Sequence, residues 1–138
     1  MLKNFNNIGI FKAYDVRGRY PQELNEGAAV KISRAAAKRL GGKIVIAHDV
    51  RLSSPALYKE VLKSLKTKNY KLKAISGGMM TTPMFYFLVN KLKASGGIMI
   101  TASHNPPEYN GMKIVGKSAM PISGKEILRI MNLDELRK

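Results

Sequence analysis

The chain has no cysteine, only nine acidic residues among 138, and no long apolar run. Without cysteine there is neither a disulfide framework nor thiolate chemistry, which fits a reducing compartment, and cytoplasm is the expected localisation. Stretches such as Ile44-Val45-Ile46-Ala47 are far too short to span a bilayer. The N-terminus lacks the basic-then-apolar pattern of a signal peptide, so no membrane partner is expected. No cluster of His, Asp or Glu has the spacing of a metal site, and the chain alone is not expected to hold a divalent ion tightly. The shortage of acids against 24 Lys and Arg leaves a formal charge of +15, which attracts anions in general. The basic residues are scattered, however. Lys59, Lys63 and Lys66 fall opposite Val61, Leu62 and Leu65 at helical spacing, as on a solvated helix face. With no recognised binding motif beside the charge, a solvated surface is favoured over a nucleic-acid footprint.

What is present reads as a soluble globular chain with 45% hydrophobic residues and the length of one domain. Residues 1–7 are polar and read as a flexible terminus; an α/β domain over 8–138 follows. Ile8 to Tyr14 reads as a first strand, leading into a turn at Asp15-Val16-Arg17-Gly18. Asn25 caps a helix with the apolar stripe Ala28, Ala29, Ile32, Ala35, Ala36 and Leu40, and Gly41-Gly42 ends it. Lys43 to Ala47 is a strand. Ser54 caps the next helix, with Pro55 at its first position and Leu57 or Tyr58, Val61, Leu62 and Leu65 facing inward. Lys71 to Ser76 is a third strand, and Thr82-Pro83 opens a helix with Met84, Phe85, Phe87, Leu88 and Leu92 on its stripe. Gly96-Gly97 begins a fourth strand. Asn110 to Val115 follows too soon for a helical crossover and should run antiparallel to it. Ser123 to Glu126 is a capping box for a last helix in which Leu133 and Leu136 keep apolar spacing. Strands alternating with helices imply a three-layer αβα sandwich on a mostly parallel mixed sheet with one antiparallel strand.

Ligands of open α/β sheets bind beyond the carboxyl ends of the parallel strands. Three polar loops meet that edge: His48 to Ser54, Gly77 to Thr82, and Thr101-Ala102-Ser103-His104-Asn105-Pro106. Ser103 follows the apolar strand directly, where such a fold presents a nucleophile or phosphate carrier, although a turn hydroxyl is the plainer alternative. His104 can donate to a phosphate or assist proton transfer, or simply hold the turn. In the strand Asn110 to Val115, alternation sends Met112 and Ile114 to one face and Gly111 and Lys113 to the other. With the apolar pair in the core, Lys113 points towards the serine loop, where it could hold a phosphate or move a proton. An exposed strand lysine that discourages edge pairing remains the alternative. His48 reads as structural, Asp49 and Arg51 as a local ion pair, and Asp15 with Arg17 as an Asp-capped turn with a surface arginine.

Four of these segments, in order, resemble the first domain of the α-D-phosphohexomutase superfamily, the phosphomannomutase and phosphoglucomutase enzymes. They are Phe11-Lys12-Ala13-Tyr14-Asp15-Val16-Arg17-Gly18, His48 to Pro55, Thr82-Pro83, and Thr101 to Lys113. His48 stands where arginine commonly precedes the aspartate. The resemblance implies that Ser103 is a phosphoserine that gives its phosphoryl group to a hexose phosphate and recovers another from the bisphosphorylated sugar. It further implies Lys113 as general acid/base, His104 as its support, and Tyr14 and Arg17 lining the substrate site. Mg2+ would bind through the Ser103 phosphate with its other ligands elsewhere, and a hexose bisphosphate would act as activator. Those mutases have four domains, so the chain reads as an excised or truncated first domain, inactive alone, whose partners are a phosphosugar and the remaining mutase domains. A phosphosugar or anion-binding module without chemistry, and a basic nucleic-acid binder, are the competing readings.

Overall fold

A computed structural model describes residues 8–67 and 71–136; the expected flexible segment 1–7 lies outside them. After a single 3₁₀ turn at Ile8–Ile10 come β1 (Val16–Arg19), α1 (Glu26–Leu40), β2 (Gly42–His48), α2 (Ser54–Thr67), β3 (Leu72–Met79) and α3 (Thr82–Lys91). Then follow β4 (Gly96–Ile100), β5 (Tyr109–Val115), a second 3₁₀ turn, β6 (Pro121–Ile122) and α4 (Gly124–Leu136).

The sheet runs β1-β5-β4-β2-β3, with β6 also on β5. β2 pairs parallel with β3 and β4. β5 pairs antiparallel with β4, β1 and β6. The expected mostly parallel sheet is therefore corrected to one in which parallel and antiparallel ladders are nearly balanced. The reason is the start of the chain. Ile8 to Tyr14 is not a strand: the chain makes a 3₁₀ turn, Phe11 bridges to Val16, and the segment expected to be a turn becomes β1. With Val16 opposite Met112 and Arg17 opposite Gly111, that strand makes β5 an interior strand.

Alternation divides the sheet into two apolar faces. Ile44, Ile46, Ile98, Ile100, Met112 and Ile114 pack with α1, α2 and α4 residues such as Ile32, Leu57, Val61 and Ile127. Val45, Ala47, Met99 and Val115 pack with Phe85 and Val89 of α3. That second face has one helix to cover it, and α3 lies on β2 and β4. No helix covers Lys113 of β5 or Arg17 of β1, and a cavity forms there.

The helix ends show why these segments stop and start where they do. The Asn25 side chain accepts from Ala28 N, capping α1, and Gly41 closes it at φ 62°. The α3 cap is Thr81 rather than Thr82, its hydroxyl accepting from Met84 N. Of the apolar residues of α3, Met84 and Phe87 face solvent, while Phe85 and Val89 lie inside. α2 starts at Ser54 itself, whose hydroxyl bonds to Asp49 instead of capping. Ser123 Oγ accepts from Glu126 N as a capping box requires, while the Glu126 carboxylate pairs with Arg39. Leu133 and Leu136, although at apolar spacing, are exposed.

Phe85 can seat against β4 only because Gly97 has no side chain. A Cβ there would lie 2.6 Å from the Phe85 ring and 2.8 Å from the Val45 carbonyl oxygen. Gly97→Ala is expected to destabilise the domain by about 1–3 kcal/mol through overpacking, read as a lower denaturant midpoint at unchanged slope. An unchanged midpoint would show that the contact yields freely.

Candidate active site

The first and third of the polar loops expected at the strand ends converge, and the second, Gly77 to Thr82, contributes only Thr82. They enclose an open cavity of about 910 Å³, lined by Asp49, Val50 and Arg51, by Thr82, Pro83 and Tyr86, and by Thr101, Ser103, His104, Asn105 and Pro107. Arg17 from β1 and Lys113 from β5 complete the wall. Four of the five candidate residues, Ser103, His104, Lys113 and Arg17, thus share one cavity. Tyr14 does not. It is largely exposed and lines a neighbouring hollow of about 620 Å³, joined to the first through Arg17 and Asn105.

Ser103 is held in an unusual backbone conformation, with φ at 56°. A non-glycine residue in the left-handed region costs on the order of 1 kcal/mol and persists only where its surroundings impose it. Here they do. Ser103 N donates to Thr101 Oγ1 at 3.0 Å, and Asn105 N donates to the Ala102 carbonyl at 3.1 Å. The chief restraint comes from Arg51. Its guanidinium donates to the carbonyls of Ser103 (2.9 Å), Asn105 (2.6 Å), Pro106 (2.8 Å) and Tyr109 (3.0 Å). Asp49 pairs with the same arginine at 3.5 Å, as the local reading of these residues expects. One planar donor fork therefore gathers the carbonyls of a whole loop, a task suited to arginine's geometry.

Asn110 locks the loop's far end. It is fully buried, donates to Ser53 Oγ and Ser54 Oγ, and accepts from Gly111 N. Ser54 in turn donates to Asp49 at 2.5 Å, so the network closes on itself. Tyr20 N donates to the Glu108 carbonyl, adding a tie from the end of β1. The Tyr20 hydroxyl donates to Glu26, which, with burial and the Glu26 charge, raises the tyrosine above its ordinary 10.0.

Because Arg51 restrains the loop through donors that lysine cannot arrange, Arg51→Lys is expected to loosen it while sparing the sheet. Amide exchange over residues 103–109 should rise at least tenfold, the consequence of losing about 1.5–3 kcal/mol of charge-assisted bonding, with exchange in β2 unchanged. Unaltered protection in the loop would contradict this role.

The two cations follow from the strands. Lys113 lies on the face opposite Met112 and Ile114, as alternation requires, and Arg17 reaches the cavity from the neighbouring strand. Neither stands alone. Arg17 Nε and Lys113 Nζ both donate to Asp15 Oδ2, at 2.8 and 3.3 Å, and Arg17 also donates to Asn105 Oδ1 at 2.8 Å. Asp15 is therefore no surface turn cap. Its side chain is 1% exposed, against 34% for Arg17 and 20% for Lys113. His104 is exposed on the cavity wall and makes no side-chain hydrogen bond among the described residues. His48 is structural: its Nδ1 meets the Asp49 carbonyl and its ring packs at 4.6 Å against Tyr58.

The arrangement suits an anion beside a hydroxyl. An arginine, a lysine and a histidine line the same cavity as a serine displayed on a restrained loop, a disposition that suits a phosphoryl group. Both nearby carboxylates are engaged by cations, and among the described residues no group of three or more His, Cys, Asp or Glu is placed to hold a metal. A divalent ion thus does not fit on these residues alone.

Residues 9–136 match the family model described as phosphoglucomutase/phosphomannomutase, alpha/beta/alpha domain I. The chain belongs to that family, as its domain I. A relative from Xanthomonas campestris named as phosphohexose mutases is 50% identical over 114 residues, covering 82% of this chain and 25% of the relative. A phosphomannomutase from Escherichia coli K12 is 47% identical over 120 residues, covering 86% of this chain and 26% of that protein. A crystal structure of a phosphoglucomutase/phosphomannomutase family protein from Burkholderia thailandensis superposes with a TM-score of 0.79 at 32% identity, covering 93% of this chain and 31% of that one. Domain I as seen here spans about a quarter of the length of these curated relatives.

Proposed function

We propose that this domain supplies the phosphoserine wall of a phosphohexomutase active site, within a longer chain that interconverts hexose 1-phosphate and hexose 6-phosphate. The observation that carries the reading is the convergence of Ser103, Lys113, Arg17 and His104 on one cavity of a phosphohexomutase-type domain I. In the reaction, a hydroxyl of the sugar phosphate attacks the phosphorus on Ser103. A bond from phosphorus to the sugar oxygen forms and the bond to Ser103 Oγ breaks. The hydroxyl proton passes through Lys113, supported by His104, to the departing Ser103 oxygen. The bisphosphorylated sugar then turns over, and its other phosphoryl group returns to Ser103 by the same exchange in reverse. No water enters the balance. Positioning and positive charge around the moving group do most of the work, and Arg17, Lys113 and His104 provide them on this wall. Tyr14, in the adjoining hollow, is assigned to the sugar.

The partners are a phosphosugar substrate and the further mutase domains that would close the cavity; a hexose bisphosphate would prime the serine. Mg2+ would rest on the Ser103 phosphoryl oxygens, with its protein ligands supplied by those other domains. Among the described residues no helix is long and apolar enough to cross a membrane; cytoplasm is the proposed location. Domain I alone is expected to be inactive.

The full chain should convert hexose 1-phosphate to hexose 6-phosphate once a hexose bisphosphate is added, measured by following the 6-phosphate. Saturable phosphosugar binding without isomerisation would instead make this an anion-binding module and reject the mutase reading.

A further inference from the structure

Asp15 is the one fully buried charged residue among those described, and its partnering is uneven. Both cations of the cavity wall converge on Oδ2, while Oδ1 is buried with no hydrogen-bond partner among the described residues. A buried carboxylate oxygen without a hydrogen-bond partner is costly to keep. A group serving stability alone would be poorly chosen; an unsatisfied polar atom that persists calls for another role.

The backbone holds this carboxylate firmly. Continuing the β1–β5 register by one position from Val16 and Met112 places Asp15 across from Lys113. Lys12 N donates to the Asp15 carbonyl at 2.8 Å, and Gly124 N donates to the Lys12 carbonyl at 2.8 Å, so the start of α4 braces the turn from behind. That brace tolerates no side chain: a Cβ on Gly124 would lie 2.5 Å from the Asp15 carbonyl oxygen.

We infer that Asp15 is a positioning residue of the transfer reaction: it holds Lys113 and Arg17 back from the phosphoryl group in the ground state, so that their charge is delivered as the group moves. This rests on the phosphohexomutase reading. An ammonium group has three donors. With one directed to Asp15, the long and otherwise flexible lysine is fixed at the cavity wall with two donors left for the reacting oxygens. Without the carboxylate, both cations would settle on the phosphates of the resting complex. Contacts equally strong in ground and transition states tighten binding without accelerating the chemical step. Removing Asp15 should therefore depress kcat and leave KM unchanged or lower, the reverse of what a lost substrate contact does.

The test uses the full chain in the isomerisation assay. Asp15→Asn, nearly isosteric, is expected to lower kcat roughly 10²-fold, the scale of a misplaced catalytic group, with KM unchanged or reduced. In a Lys113→Ala background the same change should lower kcat by less than about tenfold, the remainder acting through Arg17, because residues acting through one another are not additive. Asp15→Glu, which keeps the charge but shifts the oxygen by a methylene, should show the same dependence on Lys113, and serves if Asp15→Asn does not fold. A merely structural aspartate would give equal losses with and without Lys113, or a raised KM, and either result overturns the inference. Ser103→Ala run alongside separates the two levels. If that variant turns over, the mutase reading fails; if it is dead while the Asp15 effects are additive, only the role of Asp15 fails.

Discussion

Ser103→Ala should leave the fold intact and abolish bisphosphate-primed turnover in the full chain. The side chain is a small hydroxyl on a loop whose shape is set by backbone carbonyls and by Arg51, Asn110 and Thr101, so its removal disturbs no packed contact. If anything, alanine is no more strained than serine at the same positive φ. What disappears is the atom that carries phosphorus between the two half-reactions. No neighbouring residue can replace it. Thr101 and His104 also line the cavity, but each would present its oxygen or nitrogen from a different point of the wall, and the Thr101 hydroxyl already accepts from Ser103 N. Residual turnover should therefore lie below detection rather than at a few per cent, with the thermal midpoint within about 1 °C of the unaltered protein, as expected for a surface change of a few tenths of a kcal/mol. Near-normal turnover would remove Ser103 from the chemistry altogether.

Lys113→Ala should be nearly as damaging, with a different signature. If its amine carries the proton from the sugar hydroxyl to the serine oxygen, its loss lowers kcat by roughly 10²–10⁴-fold, the range for a general acid/base group. Phosphoserine formation slows but does not become impossible, because Ser103 remains. KM should move much less, since Arg17 still offers its guanidinium to the phosphate and keeps its own bonds to Asp15 and Asn105. Fold stability should fall only modestly, because the buried Asp15 carboxylate loses one cationic partner and keeps Arg17. Steady-state kinetics with the bisphosphate saturating would measure the split. A large rise in KM with kcat preserved would make Lys113 a phosphate-binding residue only.

The site was more legible in the sequence than the wall that supports it. Ser103 and Lys113 were readable because a strand end and an alternation of period two fix where each must point, whatever packs around them. The three polar loops were readable for the same reason, since strand direction alone places them on one edge. Arg51 was legible only as half of a local pair with Asp49. Its larger role depends on carbonyls more than fifty residues away, and carbonyls leave no mark in a sequence. Asp15 was hidden differently. An Asp-x-Arg segment beside glycine has the composition of a turn, and only pairing with β5 makes it a strand with the acid buried. That long-range pairing also explains the sheet: local pattern cannot tell whether β5 lies at an edge or in the interior, so β1 and the balance of parallel and antiparallel ladders were missed together. In α3 every residue from Met84 to Val89 is apolar or aromatic, so local pattern does not say which face turns inward, and Phe87 lies outside.

The position of one phosphorus atom decides most directly whether this wall does chemistry. The full chain, incubated with a hexose bisphosphate and quenched in acid, can be read by intact mass and then by peptide mapping. One added phosphoryl group on the peptide bearing Ser103, absent from Ser103→Ala and discharged on addition of hexose 6-phosphate, is the expected result. A chain that isomerises hexose phosphates while Ser103 stays unmodified would contradict it.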